Sequence, residues 1–158
     1  MKGEEIEENI ETSIEININA FIPEKYIPNE NHKLEIYKKI ASIRSQQDAD
    51  EIEEEIEDRF GNIPEQIRNL IHISFIKSVA QKIGISNISE TKTHVKLQFK
   101  NASYMKPTMI TEAVKFYGNR IEINGGTPPY IKLRYYNQQR KYKDLKQLLE
   151  KISGLHNQ

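Results

Sequence analysis

Six carboxylates crowd into residues 51–58, namely Glu51, Glu53, Glu54, Glu55, Glu57 and Asp58, the densest run of chemically capable side chains in this sequence. Paired carboxylates carry acid-base or metal chemistry where a partly desolvated pocket raises a pKa. At roughly 100° per residue, Ala49, Ile52, Ile56 and Phe60 form the inner face of a helix. Glu51, Glu54 and Asp58 then lie opposite, with Glu55 and Arg59 on one flank. No glycine-built cleft accompanies them, so solvation is the ordinary fate of such a face. Crowding like charges also costs repulsion that a basic partner would relieve, which makes the face a candidate docking surface.

Other chemistries lack their residues. Nucleotide hydrolysis needs a GxxxxGK[ST] cradle for phosphates, and Gly125-Gly126 reads only as a turn. His32, His72, His94 and His156 are scattered without HxH or HExxH spacing, and no GxSxG elbow presents a serine nucleophile. The absence of cysteine removes disulfides, thiolate zinc sites and thiol nucleophiles together. No catalytic residue, cofactor or metal is therefore expected. A second constellation, Lys132, Arg134, Tyr135, Tyr136, Arg140, Lys141, Tyr142 and Lys143, mixes cations with aromatics as single-stranded nucleic-acid binders do. Alternation puts Tyr135 with Ile131 and Leu133 on the buried side.

The 158 residues carry 23 acidic and 23 basic side chains, a net charge of zero that is an average over two opposed halves. Up to Phe60 there are 17 acids against 7 bases, and from Gly61 onward 6 against 16. No apolar run approaches the roughly 20 residues that span a bilayer. MKGEEIEENIE is acidic where a signal peptide would be basic and then apolar, so a soluble cytoplasmic protein with no membrane partner is expected.

The elements that must position these side chains can be read from periodicity. Residues 1–12 have only Ile6 and Ile10 as apolar anchors and read as a flexible acidic leader, followed by one α+β domain over 13–158. Its helical part covers 13–84 and its sheet-rich part 85–158. Ile14, Ile16 and Ile18 alternate with polar residues over 13–19, predicting a strand of unknown partner. Asn29 or Asn31 caps a first helix bearing Leu34, Ile36, Ile40 and Ile43, while Asp48 with Glu51 predicts a capping box for a second, ended by Gly61. Pro64 starts a third helix that runs to about Ile83. Its apolar residues change sides along the length, as expected for a central strut buried between two layers. Beyond Gly84 the pattern predicts a small, mostly antiparallel sheet of about four strands around Ile85–Ile88, Val95–Phe99, Ile121–Ile123 and Ile131–Tyr135, with helices from Pro107 to Tyr117 and through Leu145 to Ile152.

Three blocks within residues 18–74 say more: Ala20-Phe21-Ile22-Pro23 with Tyr26-Ile27; Lys33-Leu34 with Tyr37-Lys38-Lys39-Ile40; and Asp58-Arg59-Phe60-Gly61 with Pro64. In order and spacing they resemble the C-terminal domain of the bacterial transcription-repair coupling factor family, Mfd. From Ile85 onward the likeness lies in layout. That family is a large DNA translocase that removes stalled RNA polymerase from lesions and recruits the excision-repair protein UvrA. The resemblance implies a terminal regulatory domain, part of a longer protein, without the motor. It implies that this domain folds back on the UvrB-like module, masks its UvrA-binding surface and restrains the translocase. RNA polymerase and UvrA are then reached indirectly, and DNA is contacted by the parent protein rather than by this domain.

A UvrA-docking surface is expected to present arginines, so Glu51, Glu54, Glu55 and Asp58 are the expected charge partners, with Arg59 a local organiser. Glu55 and Asp58, three apart, could flank one guanidinium. Phe60, Tyr26 and Tyr37 are assigned to the core. Two other function classes stay open. A nucleic-acid-binding module built on the basic sheet and last helix predicts salt-dependent binding. A small acid-base enzyme built on the acidic helix predicts a pocket holding a carboxylate far from its ordinary pKa.

Overall fold

Asn29 caps the first helix: its Oδ1 accepts from the His32 amide at 2.9 Å, and α1 runs over Glu30–Ala41. The structure, a computed structural model, describes residues 11–156, with side chains to residue 154. The second helix, α2, spans Gln46–Phe60 and begins earlier than the capping-box spacing predicts. Ser45 is its cap, with Oγ accepting from the Asp48 amide at 3.0 Å, and Asp48 reaches back to accept from the Arg44 amide at 2.9 Å. Asp48 is thus the third helical residue rather than the cap, and its return bond goes to the amide one residue before the Ser45 cap, a variant of the box. Gly61 ends α2 at φ 95°.

Helix α3 spans Glu65–Lys82, its first turn anchored where the Ile67 and Arg68 amides donate to the Pro64 carbonyl. Buried Ile67, Ile71 and Phe75 lie along one of its sides and buried Ile76, Ala80 and Ile83 along another, as the drifting pattern predicts.

The chain divides into two compact units. Of the described residues, Asn17–Ser78 is one; residues 11–16 together with 79–156 form the other, so α3 gives residues 65–78 to the first and 79–82 to the second. The helical unit has an isoleucine core in which Ile27, Ile36, Ile43, Ile56 and Ile67 are fully buried. Each such side chain contributes on the order of 2 kcal/mol of burial free energy. The prolines hold the irregular entry segment on this core: the Tyr26 and Ile27 amides both donate to the Pro23 carbonyl. Tyr26, Tyr37 and Phe60 are half-buried rather than core residues, since each ring keeps a polar neighbour. Tyr26 OH donates to the Gly61 carbonyl, Tyr37 OH accepts from the Ile22 amide, and the Arg59 guanidinium lies 4.9 Å from the Phe60 ring centre.

The second unit is a five-stranded sheet with two helices. Its strands are β1 Ser13–Glu15, β2 Ile85–Glu90, β3 His94–Phe99, β4 Ile121–Asn124 and β5 Tyr130–Arg134, in the order β1-β2-β3-β5-β4. The expected strand over 13–19 is therefore three residues long, and its partner is β2, to which it runs parallel, with Ile14 opposite Ile88. All other pairs are antiparallel. Registers align Ile88, Leu97, Ile131 and Ile123 in one apolar row. Helix α4, Pro107–Tyr117, packs against β4 and against helix α5, Lys141–His156, which buries Leu145, Leu148, Leu149 and Ile152. Gly84 has φ 82°, and a Cβ there would fall on the Tyr104 ring, so both the backbone and the space demand glycine.

Of the leader expected over 1–12, residues 1–10 lie outside the described residues. Thr12 is 1% exposed and donates its hydroxyl to the Ile85 carbonyl at 2.6 Å, so its place is in the sheet unit. Among the described residues no helix is long and apolar enough to cross a membrane.

Candidate functional site

Cap chemistry at Ser45 fixes where α2 starts, and Ala49 and Ile56 fix which side turns inward. The six acids of residues 51–58 then separate by direction. Glu51, Glu54, Glu57 and Asp58 are exposed, whereas Glu53 and Glu55 are half-buried. Glu53 binds Arg68 of α3. Glu55 accepts from Lys39 Nζ of α1 at 2.7 Å and from Arg59 Nη1 at 3.2 Å. Arg59 also places both terminal nitrogens on Glu35, at 3.0 and 3.3 Å, and Lys39 lies 3.8 Å from the same carboxylate. Glu35, Arg59, Glu55 and Lys39 thus close a ring of alternating charge between α1 and α2.

Titration directions agree with that ring. Hydrogen bonding from Arg59 holds the Glu35 carboxyl below its ordinary value, and hydrogen bonding from Lys39, then Arg59, does the same for Glu55. Arg59 is shifted upward, first by its hydrogen bond to Glu35. A general acid in a desolvated pocket would move the other way. A cleft of about 230 Å³ lined by Ile18, Asn19, Glu65, Gln66 and Asn69 contains none of the α2 acids. Among the described residues no group of three or more His, Asp or Glu could hold a metal ion.

Each residue singled out from the sequence has a place in this arrangement. Arg59 organises its surroundings through Glu35 and Glu55. Glu55 and Asp58 do not share a guanidinium: Glu55 turns to Lys39 and Arg59, while Asp58 faces solvent. Glu51 accepts a local bond from Gln47 Nε2 at 3.0 Å, and neither Glu54 nor Asp58 has a hydrogen bond or ion pair among the described residues. Glu35 and Lys39 belong to this network although the sequence reading does not single them out. The spacing of four between Glu35 and Lys39, and again between Glu55 and Arg59, is the sign that could have found them.

The basic constellation separates in the same way. Tyr135 is buried with its hydroxyl 3.4 Å from Glu90, and burial pushes its pKa up. Lys141 pairs with Glu90 at 2.9 Å, and burial raises Tyr142 as well. Tyr136, Arg134, Arg140 and Lys143 stay exposed.

Comparison with known proteins agrees with the resemblance. The pattern describing the TRCF domain matches residues 16–110. The transcription-repair-coupling factor of Borreliella burgdorferi is 32% identical over 80% of this chain and 11% of its own length. That of Escherichia coli is 27% identical over 74% of this chain and 10% of its own. The chain spans about a tenth of the length of these curated relatives. A crystal structure of the C-terminal domain of transcription-repair coupling factor matches with a TM-score of 0.75 at 25% identity, covering 94% of this chain and 93% of that one.

Proposed function

The chain belongs to the TRCF domain family, and from that premise we propose that it is the non-catalytic regulatory domain of a larger transcription-repair coupling factor. It docks on the UvrB-like module of that protein, masks the surface that binds UvrA, and restrains the translocase until the contact opens. Its setting is the cytoplasm, its effect on UvrA and RNA polymerase is indirect, and it needs no cofactor.

The observation that supports this most is the outward row of α2. Glu51, Glu54 and Asp58 stand exposed at helical spacing on a helix whose Glu53 and Glu55 are already neutralised by Arg68 and by Lys39 with Arg59. A row of carboxylates on a convex helix suits arginines on an opposing surface, because guanidinium and carboxylate pair through directed, charge-assisted hydrogen bonds. Masking must also be reversible. A modest polar contact, sensitive to salt and to orientation, can be opened by a competing partner in a way that a buried apolar seam cannot. Glu55 and Arg59 serve the same surface indirectly, by fixing α2 on α1.

The test is a titration of this chain against the UvrB-like module at low salt, comparing the native sequence with Glu54→Lys/Asp58→Lys. The double reversal should weaken binding at least about tenfold while leaving the fold intact, since opposed charges at an interface cost several kcal/mol. In the intact factor it should raise unstimulated ATPase and UvrA binding. Unchanged affinity at low salt would end the charge-docking proposal.

A further inference from the structure

Val79–Gln158 contains 14 basic residues and 5 acidic ones, and most of those acids are occupied within the unit. Glu90 pairs with Lys141, Glu112 with Lys115, Asp144 with Arg120, and Glu122 accepts from the Tyr130 hydroxyl. Glu122 and Glu150 stay exposed, Glu150 on the groove that Lys143 lines, but cations outnumber them on the surface, and two aromatic rings stand among those cations. Tyr136, just past β5, is 71% exposed, yet its ring centre lies 4.6 Å from the Arg120 guanidinium and 5.7 Å from that of Arg140. Phe116, on α4, is 51% exposed with Lys151 Nζ 4.1 Å from its ring centre.

The Tyr136 platform is held in place. Asp144, 2% exposed, accepts from the Tyr136 amide and from Arg120 Nη2, both at 3.1 Å, and lies 3.6 Å from Arg140 Nε. Arg120 is further fixed by donating twice to the Arg134 carbonyl. A ring covered on both faces could not keep 71% of its surface, so at least one face of Tyr136 is open. Contacts run on from Arg120 to Tyr117 and from Tyr117 to Phe116, linking the two platforms. Arg140 and Lys151 are separated by roughly 16 Å of helical rise. Beside Arg140, Lys143 helps to line an open groove of about 290 Å³.

We propose that this surface binds single-stranded nucleic acid, with bases stacked on Tyr136 and Phe116 and phosphates on Arg134, Arg140, Lys143 and Lys151. Base stacking on an exposed ring needs no sequence preference, and the adjacent cations supply the backbone contacts. A duplex keeps its bases stacked inside and cannot use the rings. An acidic protein segment would pair with the cations but would leave two exposed rings without a role. The inference lies outside the docking proposal: it uses the other unit and revises the expectation that DNA contact belongs to the parent protein alone.

The experiment is fluorescence anisotropy of the 158-residue chain with labelled single-stranded dT and U oligonucleotides of about 15 nucleotides, the matching duplex, and a poly-glutamate competitor, over a salt series. Binding of either single strand should be tighter than of the duplex and should fall with salt at a log-log slope of about −3, or about 0.7 per phosphate for four contacts. Tyr136→Ala, a substitution at an exposed position, should lose about tenfold. Lys143→Ala should reduce the slope without changing the preference for single strands. No binding at low salt, equal affinity for duplex, indifference to Tyr136→Ala, or displacement by poly-glutamate as effective as by unlabelled oligonucleotide would each overturn the proposal.

Discussion

The two units treat their minority charge alike and their majority charge in opposite senses. In Asn17–Ser78, with 12 acids and 8 bases, Lys33, Lys39, Arg59 and Arg68 are each paired with carboxylates, and the surplus of acid is left facing solvent on α2. In Val79–Gln158 Asp144 and Glu90 are drawn in and the surplus of base is left outside. Internal pairing removes the scarcer sign first, so each unit presents a purer field than its composition suggests. The burial differs as well. The ring of Glu35, Arg59, Glu55 and Lys39 is half-solvated, whereas Asp144 is almost wholly enclosed. A partly solvated pair is worth little and a buried one is costly to break.

Removing Asp144 would break this contrast most severely. Asp144→Ala takes the shared carboxylate from Arg120, Arg140 and the Tyr136 amide, Arg120 keeping its bonds to the Arg134 carbonyl, and should cost about 2 to 3 kcal/mol in urea unfolding. A loss below about 1 kcal/mol would mean that the two units hold their ion pairs equally loosely. Ser45→Ala should cost about 1 kcal/mol, because α2 carries its acids close together and depends on its cap. Glu55→Gln should cost only about 0.5 kcal/mol, and less as salt rises.

The acid response sharpens the same point. Glu35 and Glu55 titrate below their ordinary 4.5 because Arg59 and Lys39 bind their charged forms. A depressed folded-state pKa gives stability that is present above the unfolded value and lost as pH falls through the lower folded one. Hydrogen-exchange protection over α1 and α2, taken relative to the intrinsic rate at each pH, should therefore fall on acidification below 4.5, and Glu55→Gln should flatten that response. Last and smallest, Glu54→Lys/Asp58→Lys should move stability by no more than about 0.5 kcal/mol, since neither side chain is held. A larger loss would make the outward row a structural feature of the unit.

How much of this the residues disclose depends on the range over which each interaction acts. Helix α4 is readable to the residue, because Pro107 and Gly118 act on their own backbone and Met109, Ala113 and Tyr117 share one side. Strands β3 and β5 are readable from alternation, and the helical angles of α2 separate its inner and outer faces correctly. The start of α2 is misplaced by spacing alone, since Ser45 and Asp48 both have cap chemistry and only the geometry tells which one accepts from an amide at the helix start. Parallel pairing of β1 with β2 links residues more than 70 apart and leaves no local trace. The same holds for the ring between α1 and α2: each half is an i, i+4 pair visible in the sequence, but their meeting depends on how the isoleucine core packs. Dividing the charge at Phe60 is also coarse. Half of that segment's excess of acid lies before Asn17, outside the helical unit.

The long reach of β1 has a consequence during synthesis. Ser13 leaves the ribosome 74 residues ahead of Asn87, the residue it faces in the sheet. At about 5 to 20 residues per second, the nascent strand waits roughly 4 to 15 s for its partner. Ile14 is without that partner throughout, and with Ile16 and Ile18 it makes a segment whose strand periodicity favours pairing with other chains. Glu15 and Asn17 between the isoleucines, with Glu11 before them and Asn19 after, are polar residues of the gatekeeper kind that keeps such a segment soluble until β2 emerges.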